Sequence, residues 1–118
     1  MWIKNAWYVA AWASEISEDA ILARTYLGTP VILYRTGEGE AVALEDRCCH
    51  RHAPLSKGRL EGSDVRCMYH GLKFAPTGEC IEIPGEARVP KQMKVQTFPL
   101  VEKDKLLWIW LGDAALAD

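Results

Sequence analysis

Short apolar stretches recur roughly every eight to twelve residues along the 118-residue chain, parted by polar, glycine- or proline-bearing segments. This spacing predicts an all-β protein. Strands are expected over 7–10, 22–27, 31–35, 41–45, 65–67, 72–74, 79–83, 95–100 and 106–111. Gly28-Thr29-Pro30, Thr36-Gly37-Glu38-Gly39 and Pro76-Thr77-Gly78 read as turns, because glycine tolerates positive φ and proline presets the bend. Glu102-Lys103-Asp104-Lys105 reads as a polar turn before the last strand. The alternative within 5–17 is a helical turn around 11–16, which the pattern leaves open. The stretch 47–60 carries too much Pro, Gly and Ser for a strand, and 69–71 reads as a tight turn between two short ones. Gly37-Glu38-Gly39 lacks the lysine and following helix of a phosphate-binding loop, so it is a hairpin turn. Trp108 and Trp110 are two apart and share one strand face. With Trp2, Trp7 and Trp12 they are expected to serve packing, within the core or between domains.

Composition changes little in this picture. With 49% hydrophobic and 25% charged residues the chain is expected to fold. A net charge of −2 gives no support for nucleic-acid binding. No apolar run is long enough to cross a membrane and no secretory leader is visible, so a cytoplasmic protein with reduced thiols is expected. Residues 45–74 hold six cations and four acids, a local net of +2. That excess reads either as a surface laced with local salt bridges or as a rim that steers an acidic redox partner.

The chemistry lies where the strand pattern breaks. Cys48-Cys49-His50 and Cys67-Met68-Tyr69-His70 form the pattern Cys-x-His, sixteen residues, Cys-x-x-His. Two thiolates with two imidazoles suit a [2Fe–2S] centre in which histidines replace two cysteines on one iron. Cys48 and Cys67 then hold the inner iron, His50 and His70 the outer. Two ferric ions, two sulfides and two thiolates sum to zero, whereas four thiolates would give a dianion. The neutral centre accepts an electron more readily. Zinc is the rival, but structural zinc sites usually begin Cys-x2–4-Cys. Cys49 and Cys80 read as plain thiols, Cys80 as a small buried side chain in a strand. His52 reads as a surface histidine.

The residues around the ligands carry a resemblance. Asp46-Arg47-Cys48-Cys49-His50-Arg51, Ala53-Pro54-Leu55-Ser56-Lys57-Gly58 and Cys67-Met68-Tyr69-His70-Gly71-Leu72-Lys73-Phe74 resemble the Rieske signature of bacterial Rieske non-haem iron oxygenases. Lys4-Asn5-Ala6-Trp7-Tyr8-Val9-Ala10 is similar to the opening of their large subunits, and Leu107-Trp108-Ile109-Trp110-Leu111-Gly112-Asp113 to the end of their Rieske domain. The Tyr-His-Gly-Leu ending looks most like vanillate O-demethylase oxygenases and related aryl-ether demethylases. Cys49 stands where the family usually has proline, which would stiffen the loop; no ligand is touched.

The resemblance implies the Rieske iron–sulfur fold, with antiparallel sheets and a two-loop cluster-binding subdomain. That subdomain is expected at 46–74, on a base of 1–45 and 75–118, together one Rieske domain. It implies an electron relay within an oxidoreductase. Electrons come from a flavin and iron–sulfur reductase using NAD(P)H and go to a mononuclear non-haem iron in a catalytic domain, that of a neighbouring subunit in a homotrimer. Such an iron needs two histidines and a carboxylate. Only His52 remains once His50 and His70 are assigned, so the oxygen-activating iron and catalytic residues are expected outside this chain, with 112–118 as a linker. A stand-alone Rieske-type ferredoxin is the alternative. High-potential respiratory relatives carry bridging cysteines at the positions of Ala53 and Tyr69, and hydroxyl donors at those of Leu72 and Phe74. Their absence here predicts a potential near the low end of the Rieske range, about −150 mV.

Overall fold

The computed structural model describes residues 5–48, 53–68 and 71–117. Among them, ten strands form three antiparallel sheets. The first joins β1 (Ala6–Trp12), β10 (Leu106–Leu111) and β9 (Leu100–Lys103), in that order. The second joins β2 (Leu22–Tyr26), β3 (Thr29–Arg35) and β4 (Ala41–Glu45). The third joins β5 (Arg59–Glu61), β6 (Asp64–Arg66), β7 (Lys73–Phe74) and β8 (Cys80–Glu82). Short 3-10 helices lie at Ala13–Glu15, Leu55–Lys57 and Ala114–Leu116.

The layering follows from β3. Val31, Ile32, Leu33 and Tyr34 are all fully buried, an unbroken apolar run that marks a strand covered on both faces. Val31 and Leu33, with Ala43 opposite, pack with Leu107, Ile109 and Leu111 of β10. Ile32 and Tyr34, with Leu44 and Val42 opposite, pack with Leu55, Val65, Leu72 and Phe74. The second sheet is therefore the middle layer between two cores. In the third sheet alternation returns, broken by a bulge in β8 that puts Cys80 and Glu82 on opposite faces. Leu60, Val65, Phe74 and Cys80 turn to the core, while Arg59, Glu61, Arg66, Lys73 and Glu82 line the outer face.

Several expectations change. The first hairpin turns on Leu27 and Gly28 (φ 49° and 81°), so Thr29 and Pro30 belong to β3. A two-residue hairpin of this kind needs positive φ at both centres, which proline cannot adopt. The last hairpin likewise turns on Asp104 and Lys105 alone, with Glu102 and Lys103 in β9. At 11–16, β1 runs two residues past its expected end to Trp12, then Ala13–Glu15 forms a 3-10 turn closed by the Glu15 carboxylate on the Trp12 N–H. The stretch 95–100 is not a strand. Its backbone divides between two sheets, with Val95 N–H bonding Gly78, Gln96 accepting from Glu45, and Phe98 N–H bonding Ala43. The regular ladder begins at Leu100. Arg59 and Leu60, the end of the stretch assigned to an irregular loop, belong to β5. The Thr36–Glu40 turn is a hairpin turn, with the Thr36 hydroxyl accepting from the N–H groups of Glu38 and Glu40.

Trp7 pairs with Trp110, and Val9 with Trp108, on the outer face of the first sheet. The Trp7 and Trp110 rings meet edge-on at 5.4 Å. Trp12 is 59% exposed and so contributes little to a core. Trp2 lies outside the described residues.

Candidate metal centre

Cys48 follows the end of β4 and Cys67 follows β6. Both are buried, at 2% and 1% exposure, in one apolar cluster with Leu55, Leu72 and Phe74. Their loops close in the same manner. The Cys48 N–H donates to the Ala53 carbonyl at 2.7 Å, and the Cys67 N–H to the Leu72 carbonyl at 2.7 Å. In each loop the cysteine heads a segment whose end returns five residues later. His50 falls within the first and His70 within the second by sequence, but both lie outside the described residues, as do Cys49, Arg51, His52 and Tyr69.

Each loop is fastened further. The Asp46 carboxylate accepts the Ser56 N–H at 2.6 Å across the base of the first. The Gly71 N–H donates to the Cys67 carbonyl at 3.1 Å within the second. The loops also touch. A Cβ on Gly58 would lie 2.0 Å from the Arg66 carbonyl oxygen, so the exit of the first loop presses on the peptide that leads into Cys67. Two buried thiols at the heads of matched loops are soft donors shielded from water, which fits an iron–sulfur group. The second loop rises from core to surface within one residue: Cys67 is 1% exposed and Met68 is 64% exposed.

Cys80 belongs to the same core but differs chemically. Its thiol donates to the Glu82 carbonyl at 3.5 Å, and burial pushes its pKa up, which keeps it protonated and a poor metal donor. It is the small buried side chain expected from sequence. Leu72 and Phe74 are buried and offer no side-chain donor.

The basic residues near the loops are mostly matched. Glu61 binds Arg66 at 2.9 Å and Arg59 at 2.8 Å, and lies 3.5 Å from Lys73. Hydrogen bonds from Arg66 and then Arg59 hold its carboxyl down at about 2. Arg66 also reaches Glu82 at 2.7 Å and the Gly71 carbonyl at 2.8 Å. Hydrogen bonding to Arg66 lowers the Glu82 pKa as well. The local salt-bridge reading of the +2 excess is therefore favoured over a free basic rim. Sequence reasoning missed this network. Its signal was opposite charge at Glu61 and Arg66 on the two arms of a short hairpin.

Residues 6–99 match the family described as the Rieske [2Fe-2S] domain. The chain is 54% identical over 118 residues to an iron–sulfur subunit of the toluene-4-sulfonate monooxygenase system from Comamonas testosteroni, covering 100% of this chain and 34% of that protein. It is 50% identical over 117 residues to the oxygenase component of dicamba O-demethylase from Stenotrophomonas maltophilia, covering 98% and 34%. With the vanillate O-demethylase oxygenase subunit of a Pseudomonas species the identity is 39%, covering 100% and 33%. A crystal structure of apo dicamba monooxygenase superposes with a TM-score of 0.94 at 50% identity, covering 99% of this chain and 36% of that one. The chain thus spans about a third of the length of these relatives.

Proposed function

Since this chain belongs to the Rieske [2Fe–2S] domain family, we propose that it is the electron-transfer domain of an aromatic-compound oxygenase. In this reading Cys48 and Cys67 bind one iron and His50 and His70 the other. The observation that carries it is 54% identity along the whole chain to an iron–sulfur subunit of a monooxygenase system. When bound, the group supplies one-electron storage.

The chain's own residues supply the setting. Leu55, Leu72 and Phe74 surround the two thiols with apolar side chains and keep water from the inner iron. The two backbone closures onto Ala53 and Leu72 fix the backbone that carries each thiol. The surface position of Met68 brings the second loop to the edge of the molecule, where a partner can approach. The subdomain 46–74 forms the binding end and the remainder the base, with β8 completing the sheet that supports the loops.

The donor in this reading is an NAD(P)H-dependent flavin and iron–sulfur reductase. The acceptor is a mononuclear non-haem iron in a catalytic domain outside this chain, within a cytoplasmic homotrimer. The relatives suggest substituted aromatic acids, sulfonates or ethers as substrates. Among the described residues no helix is long and apolar enough to cross a membrane. Anaerobic titration with NADH and a ferredoxin-type reductase tests the relay role. Uptake of one electron per chain is expected; no uptake, or uptake of two, contradicts it.

A further inference from the structure

We propose that Arg66 is a positioning residue that sets the geometry of the second ligand loop and, through it, the potential of the metal centre. The inference rests on the reading of Cys67 and His70 as ligands.

Arg66 precedes Cys67 in sequence, yet its guanidinium acts on the far end of the loop. Nη1 donates to the carbonyl of Gly71, the residue after His70, at 2.8 Å. Among the described residues this joins two other bonds that close the loop, Cys67–Leu72 and Gly71–Cys67. The guanidinium itself is fixed from two sides. Glu61 of β5 takes Nη2 at 2.9 Å and Nε at 3.3 Å, and Glu82 of β8 takes Nη1 at 2.7 Å. The side chain is only 17% exposed. Four of its five N–H donors are thereby committed in one plane, an arrangement that a lysine ammonium cannot copy.

Charge balance alone does not explain this arrangement. Lys73 also lies on the outer face and pairs with Glu61 and Asp64; among the described residues its ammonium has no hydrogen bond to the loop backbone. Arg59 pairs with Glu61 at 73% exposure. Of the three cations, Arg66 is the one bonded to the loop among the described residues. Its backbone carbonyl meets the exit of the first loop at Gly58, so one residue touches both ligand loops. Among the described residues no guanidinium bonds the first loop; an Asp46–Ser56 bond fastens it instead.

The difference between the loops provides an internal control. Hydrogen exchange by mass spectrometry should be compared over 67–72 and 48–53 in the purified holoprotein, for wild type, Arg66→Lys, Glu82→Gln and Lys73→Met. Arg66→Lys keeps the charge and loses the fork. It is expected to speed exchange in 67–72 by about tenfold, the loss of one charge-assisted bond, and to leave 48–53 unchanged. Glu82→Gln removes one of two anchors and should give a smaller acceleration of the same segment. Lys73→Met should give none. With iron and sulfide retained, Arg66→Lys should also change the reduction equilibrium constant by about threefold or more, since hydrogen bonding and solvent access set the potential. Equal exchange in Arg66→Lys and wild type, or equal acceleration of both loops, overturns the proposal. So does an unchanged potential. If wild-type protein binds no iron and acid-labile sulfide, the ligand reading fails, and the exchange comparison still decides what Arg66 holds.

Discussion

Replacing Gly58 with alanine tests how tightly the two loops are packed together. The added Cβ would lie 2.0 Å from the Arg66 carbonyl oxygen, 3.0 Å from its carbon and 3.2 Å from the Leu55 carbonyl oxygen. These are backbone atoms, so no side-chain rotation relieves the contact. The Arg66 carbonyl shares its peptide plane with the Cys67 N–H, which bonds Leu72. Moving one moves the other. Overpacking of this kind costs about 1–3 kcal/mol. For a domain of this size that lowers Tm by roughly 3–12 °C, and the bound iron should fall with it. Gly62→Ala is the comparator: φ is +65° but nothing lies within 4 Å of the new Cβ, so only the left-handed penalty of about 1–2 kcal/mol applies. Thermal unfolding with iron analysis of both variants separates the two costs. Equal loss of Tm with iron fully retained in Gly58→Ala would refute the packing argument.

Leu72→Ser places a hydroxyl donor where a buried leucine stands. A hydrogen bond to a charged group contributes about 1.5 kcal/mol or more, equivalent to about 60 mV for one electron. Redox titration should show a rise from a starting point near −150 mV, with lower thermal stability from the lost apolar contacts; an unchanged midpoint contradicts it. Asp46→Ala removes the acceptor for the Ser56 N–H and should cost about 1–2 kcal/mol. Urea unfolding and iron retention measure it. Glu61 is ionised down to about pH 2 in the folded protein against an ordinary value of 4.5, so its contribution is complete above pH 4.5 and fades toward pH 2. The stability gap between wild type and Glu61→Gln, from urea titrations at pH 6 and pH 3, should narrow on acidification.

Much of the site could be seen in the sequence because metal ligation imposes rigid spacing. Cys48 and Cys67 stood out by their spacing to His50 and His70, and both are buried side chains at loop heads, Cys67 just past the strand expected to include it. The double-faced burial of β3 was present in the unbroken Val31–Tyr34 run. β5 was hidden because three residues flanked by Gly58 and Gly62 carry no local strand signal; pairing with β6 makes them a strand. The segment 95–100 misled because its apolar residues do face cores, while its backbone passes from the Gly78 turn to β4. Arg66 was invisible as a loop clamp because its partners lie on separate strands, and only the sheet register brings Glu61, Lys73 and Glu82 beside it.

The central claim is the ligand set itself: Cys48 and Cys67 on one iron, His50 and His70 on the other. Mössbauer spectroscopy of the oxidised protein loaded with 57Fe tests it most directly. Two quadrupole doublets of equal area are predicted, one from each iron environment. A single doublet from two like-liganded irons, or a protein that takes up no iron, would contradict the account.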